Sequence, residues 1–162
     1  MNIFLKVSPL FLLLWTCMAL AAHDDAVATK PELISVNQTY TPGLGEIMVG
    51  IQLRHAKLWY AGNASNWKLA EYELEEILEG FDDAKKYQPE FKGKPIAEMI
   101  NLITSRPVDK LVQAIKAQDK TAFKKSFDGI SQACNTCHTA NGFGFISIQR
   151  PTHPPLTNQR YN

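Results

Sequence analysis

From Leu44 onward the apolar residues recur at steps of three and four, the spacing that puts side chains on one face of a helix. Leu44, Ile47/Met48, Ile51, His55 and Leu58/Trp59 predict a first helix over 43–61, with Thr41 as cap, Pro42 in the first turn and Gly62 as stop. Trp67, Ala70, Leu74, Ile77/Leu78 and Phe81 form a stripe among Glu71, Glu73, Glu75, Glu76 and Glu79, predicting a second helix over 66–86 capped by Ser65 or Asn66. Pro89 to Pro95 breaks the pattern. Ile96, Met99, Ile100 and Ile103 start a third stripe that resumes with Val108, Leu111/Val112 and Ile115, so the third helix is expected to be split at Pro107. Behind an Asp119 cap, Phe123, Phe127, Ile130, Cys134 and Cys137/His138 share the face of a fourth helix ending at Asn141-Gly142. Short links between amphipathic helices predict an all-α fold, an antiparallel four-helix bundle over 42–141. No internal period points to a helical repeat array.

The flanks read differently. Residues 1–22 carry one charge, Lys6, before the apolar run Leu10–Leu20, and small residues collect at Ala19, Ala21 and Ala22, the layout of a cleaved export signal. As a helix, that run would span about 16 Å, short for a bilayer core of about 30 Å, so no stable membrane insertion is expected after cleavage. Residues 23–41 hold no lasting period and read as an extended leader. In the tail 142–162, Pro151, Pro154 and Pro155 exclude a regular helix, while Phe143, Phe145, Ile146 and Ile148 are apolar enough to predict packing on the end of the bundle.

Loss of Lys6 with the signal leaves sixteen basic residues against sixteen acidic ones, which gives no footprint for nucleic acid or an anionic membrane. It also removes Cys17, so Cys134 and Cys137 become the only cysteines, in an oxidising compartment where idle thiols tend to pair. They stand in Cys134-Asn135-Thr136-Cys137-His138. A structural zinc site wants four ligands, and His23, His55 and His153 are not spaced to complete one. A redox dithiol wants its first cysteine near a helix N-terminus, whereas these lie late in a predicted helix. Cys-x-x-Cys-His instead supplies two thiols for the two vinyl groups of a haem and an imidazole for its iron. One covalent haem c is therefore expected, with thioethers at Cys134 and Cys137 and His138 as proximal ligand.

With Ala114–His138 reading AIKAQDKTAFKKSFDGISQACNTCH, the chain resembles the class II c-type cytochromes, four-helix bundles with the attachment site near the end of the fourth helix. The resemblance implies a soluble periplasmic protein with one haem per chain, and often a homodimer through the first two helices. The family usually ends soon after this helix, with a basic residue a few positions past the histidine, whereas here Gly142 and a long tail follow.

The other face of the iron should be met from the first helix, whose start lies beside the end of the fourth. His55 is the favoured distal ligand, because an imidazole on an apolar stripe needs a partner, and Met48 is the alternative; Ile51 there would leave an open position. Arg54, Lys57 and Arg150 are candidates to pair with the haem propionates. The Glu-rich face of the second helix could receive a basic redox partner. The expected function is one-electron transfer among periplasmic redox proteins, without enzymatic turnover. Binding of nitric oxide or carbon monoxide at an open site is the alternative, and peroxidase-type chemistry a third reading.

Overall fold

The side chains of Asn66 and Asp119 begin two of the four helices in the structure, a computed structural model that describes residues 40–162. The Asn66 carboxamide oxygen accepts from the Leu69 amide at 3.2 Å. One Asp119 carboxylate oxygen accepts from the Thr121 and Ala122 amides, both at 2.9 Å, so each cap satisfies donors that a helix start leaves orphaned. The helices are α1 Leu44–Asn63, α2 Trp67–Tyr87, α3 Ile96–Lys116 and α4 Lys120–Ala140. Among the described residues the fold is all-α, compatible with an antiparallel four-helix bundle, and none of these helices is long and apolar enough to cross a membrane. The predicted signal at 1–22 and the leader as far as residue 39 lie outside the described residues.

Three expectations are corrected. Gly43, not Thr41, is the N-cap of α1, without a side-chain hydrogen bond, and the Pro42 carbonyl instead accepts from Gln88 Nε2 at 2.9 Å. Gly62 does not stop α1, which continues to Asn63. A Cβ at Gly62 would sit 2.1 Å from Phe123 Cζ, so the glycine is a contact point between α1 and α4. Pro107 does not split α3, which is continuous through it. The buried residues Ile100, Thr104, Val108 and Leu111 hold the helix from both sides of the proline, and Ile103, whose carbonyl loses its donor, is only half-buried.

The links are tight. Ser65 and Gln118 take positive φ in the α1–α2 and α3–α4 turns. Between α2 and α3, Lys92 and Gly93 do the same where Phe91 and Lys94 exchange two backbone hydrogen bonds of 3.0 Å.

Contacts of α1 with α4 fix their direction and register. His55 meets Ser131 at 2.9 Å, the tilted rings of Trp59 and Phe127 have centroids 5.0 Å apart, and Gly62 meets Phe123. Each step up α1 is matched by a step down α4, so the two run antiparallel. Phe123, Phe127, Leu58, Ile77, Leu111 and Ile130 are fully buried around this aromatic column. α1 packs mainly on α2 and α3 mainly on α4, leaving the α1–α4 seam the more open side.

Glu73 is also fully buried, with Oε1 3.0 Å from Lys57 Nζ and Oε2 3.3 Å from Arg54 Nη1. The Lys57 approach is an ion pair without an aligned hydrogen bond. Arg54 also reaches Glu76 at 2.7 Å. The predicted acidic face of the second helix is thus narrower than its sequence suggests, with Glu71, Glu75 and Glu79 left exposed.

The segment after α4 is irregular and runs along the helices. Asn135 holds Ile148 at both backbone groups, Arg150 forks onto Asp128 through two 2.7 Å bonds and lies 4.7 Å over the Trp59 ring, and Tyr161 is buried 5.4 Å from Tyr60. Phe145 stays in water, 81% exposed.

Candidate functional site

The last turn of α4 ends in a Schellman arrangement. Gly142, at φ +81, lets the Phe143 amide donate back to the His138 carbonyl at 2.8 Å and its own amide donate to Thr139 at 3.1 Å. The turn sends Phe143–Ile148 back past His138. The Ile146 carbonyl then lies 2.8 Å from His138 Nδ1. A carbonyl only accepts, so Nδ1 carries the ring proton and Nε2 keeps the lone pair. This is the tautomer needed for a metal-binding Nε2 whose ring is oriented by a hydrogen bond at the other nitrogen.

Cys134 and Cys137 stand one helical turn apart and line, with His138, a cavity of ≈ 250 Å³ on the α1–α4 seam. Its walls are mostly apolar, with Leu44, Met48 and Ile51 from α1, Phe81 from α2, Ile96 and Ile100 from α3, and Phe143, Ile146 and Ile148 from the tail, and Gln52, His55, Thr104 and Asn141 add polar groups. Burial pushes the Cys134 thiol up to about 11 and raises Cys137 as well, the opposite of the stabilised thiolate that a redox dithiol uses. Among the described residues no three His, Cys, Asp or Glu side chains converge on a metal-sized point.

Both distal candidates reach this cavity, in different ways. His55 is buried and lies 4.3 Å from the Phe127 ring. Its Nε2 is 2.9 Å from Ser131 Oγ, which itself donates to the Phe127 carbonyl, so Nε2–H donates to the serine. Burial lowers the His55 pKa from 6.5 to about 4, which keeps the ring neutral. Among the described residues Met48 has no polar partner to hold its thioether. Extending by two turns the register that pairs His55 with Ser131 and Trp59 with Phe127 brings Met48 opposite His138. His55 lies seven residues further along α1, about 10 Å at helical rise.

The basic candidates lie elsewhere. Arg54 and Lys57 are engaged by Glu73 and Glu76 and do not line the cavity, and Arg150 is engaged by Asp128. The sequence reading missed three contributors. Asn135, inside the pentad, ties down Ile148; the Ile146 carbonyl orients His138; and Asn141 donates from Nδ2 to the Cys137 carbonyl at 2.8 Å while its Oδ1 is buried without a partner. Position 135 had only the weak signal of a polar residue near a helix end, its partner Ile148 lying thirteen residues further on. A backbone carbonyl such as that of Ile146 has none.

The side chains supply the donor set of a covalently attached haem, two thiols one turn apart and an imidazole with its outer nitrogen already committed, at a largely apolar cavity that is smaller than the macrocycle itself. Compared with family models, with curated proteins and with solved structures, the chain matches none.

Proposed function

We propose that this chain is an exported monohaem c-type cytochrome that carries single electrons on a four-helix-bundle scaffold, in the periplasm. The observation that carries the reading is His138, held by Ile146 in the tautomer that frees Nε2, at the wall of an apolar cavity shared with Cys134 and Cys137. Each thiol would add across one vinyl group, sulfur to one carbon and hydrogen to the other, so attachment needs no oxidant. His138 Nε2 would be the proximal ligand. The register favours Met48 over His55 opposite it, since the His55 Nε2–H is held by Ser131. The bound haem would supply an iron that cycles between ferric and ferrous states at a potential tuned by these ligands and by burial. The apolar walls would exclude water, and the exposed Glu71, Glu75 and Glu79 offer a face for a basic redox partner. A homodimer through α1 and α2 would cover Val49, Leu53 and Tyr72, which are apolar and exposed on those helices.

The test is expression with export and haem-attachment machinery, followed by intact mass and visible spectra. The processed chain should gain the mass of one haem, lose it in a Cys134→Ser/Cys137→Ser variant, and show a six-coordinate low-spin spectrum unmoved by carbon monoxide. A mass equal to the bare polypeptide refutes the reading. A five-coordinate spectrum that shifts at once in carbon monoxide transfers the function to gas binding.

A further inference from the structure

The tail bends back over the attachment helix and meets it at two points on the same side. At one, the Ile146 carbonyl accepts from His138 Nδ1 at 2.8 Å. Two residues further on, Ile148 is clamped by Asn135, whose Nδ2 donates to the Ile148 carbonyl at 2.9 Å and whose Oδ1 accepts from the Ile148 amide at 2.7 Å. A side-chain amide that both donates to and accepts from one residue's backbone imitates a strand partner, and it leaves that residue little freedom to rotate or slide. At its start, just after α4, the strap is fixed by the positive φ of Gly142 and by the bond from the Ile146 amide to the Phe143 carbonyl at 2.8 Å. The carbonyl facing His138 is therefore held from both ends, and one of the two holds is a residue of the pentad.

From this juxtaposition we infer that Asn135 is a positioning residue for His138: by clamping Ile148 it holds the Ile146 carbonyl on Nδ1–H, fixing the ring's orientation and making Nε2 a stronger donor to iron. The inference rests on the haem reading of the site and adds a function for the inner residue of the pentad and for the strap. An acceptor on the outer nitrogen gives the imidazole partial imidazolate character, which favours the ferric state. Loss of the clamp should weaken that donation and raise the midpoint potential.

The experiment uses the full-length, haem-loaded protein and compares Asn135→Ala and Asn135→Asp with Thr136→Ala, the neighbouring exposed pentad residue, whose hydroxyl bonds only the Gln132 carbonyl. Readouts are the midpoint potential and the solvent exchange of the His138 Nδ1 proton by NMR. Asn135→Ala should shift the ferric/ferrous equilibrium about tenfold toward ferrous, ~59 mV for one electron, and speed Nδ1–H exchange at least tenfold. Asn135→Asp keeps the acceptor for the Ile148 amide but loses the donor, and should fall between. Thr136→Ala should leave both readouts in place. Equal potentials and equal exchange in Asn135→Ala and the unaltered protein overturn the inference while leaving haem attachment intact. If the substituted proteins do not mature, the unaltered protein still decides: an Nδ1 proton exchanging as fast as that of a free imidazole, or an Asn135 side-chain amide exchanging as fast as a free carboxamide, overturns it, and protection of both supports it. A chain that gains no haem mass fails the function reading before this comparison is reached.

Discussion

Replacing His55 by leucine separates its structural role from any role at iron. In the folded chain the ring is neutral, buried against Phe127, and gives its one N–H to Ser131; its pKa is lowered from 6.5 to about 4 by burial. In the unfolded chain it titrates near 6.5. Between those values the unfolded state binds a proton that the folded state refuses, so stability is lost as pH falls from about 6.5 through 4. The difference of the two pKa values corresponds to a loss of about 3 kcal/mol by pH 4, at 1.36 kcal/mol per pKa unit. Leucine fills similar apolar space and removes the proton. Ser131 keeps its bond to the Phe127 carbonyl and loses only a donor to its oxygen, so at pH 8 the substitution should cost no more than about 1–2 kcal/mol. Urea unfolding of both proteins from pH 8 to pH 4 is the measurement. The gap in favour of the unaltered protein should shrink and reverse on acidification, since titrations common to both cancel. Under the proposed haem ligation the visible spectrum of the leucine variant should be unchanged, since the extended register puts Met48 rather than His55 opposite His138. Parallel stability curves would refute the assigned burial and protonation, and a change of spin state would return His55 to the iron.

Conversely, Met48→Ala should turn a six-coordinate low-spin spectrum into one that responds to carbon monoxide within mixing time, while urea unfolding shows a loss of about 2–3 kcal/mol from the missing side chain. Glycines on α1 and α4 should respond oppositely to alanine. A Cβ at Gly62 runs into the buried Phe123 ring and should cost about 1–3 kcal/mol, whereas Gly129 has open space and should gain up to about 1 kcal/mol from helix propensity, both read from thermal unfolding. Glu73→Ala strands Lys57, whose side chain is only 12% exposed, and should cost about 3 kcal/mol in chemical denaturation; Glu73→Leu with Lys57→Met should recover most of that loss.

The helices were legible because their signals are local. Stripes at three and four residues, the Asn66 and Asp119 caps and the Asn141-Gly142 end each follow from chemistry within one or two turns. The misreadings came from packing overriding local preference. Pro107 sits in an unbroken helix because buried residues on both sides hold it, and Gly62 serves an aromatic ring on another helix rather than a turn. In the site, the pentad was legible as a motif, but its surroundings were not. Arg54 and Lys57 looked available until the burial of Glu73 engaged them, a contact between helices that no spacing in one helix reveals. His55 and Met48 lie on one stripe, and only the pairing of α1 with α4 separates them by level.

The uneven packing of the helices bears on how the chain assembles. Each of the hairpins α1/α2 and α3/α4 is joined by a three-residue turn and buries side chains near in sequence, so both can form early and fast. Closure of α1 on α4 and return of the last twenty residues to α1 require the longest-range pairings, and loop-closure entropy is the larger obstacle there. The cavity that both thiols line takes walls from α1 and from the returning tail, so it is complete only when those longest-range pairings are made.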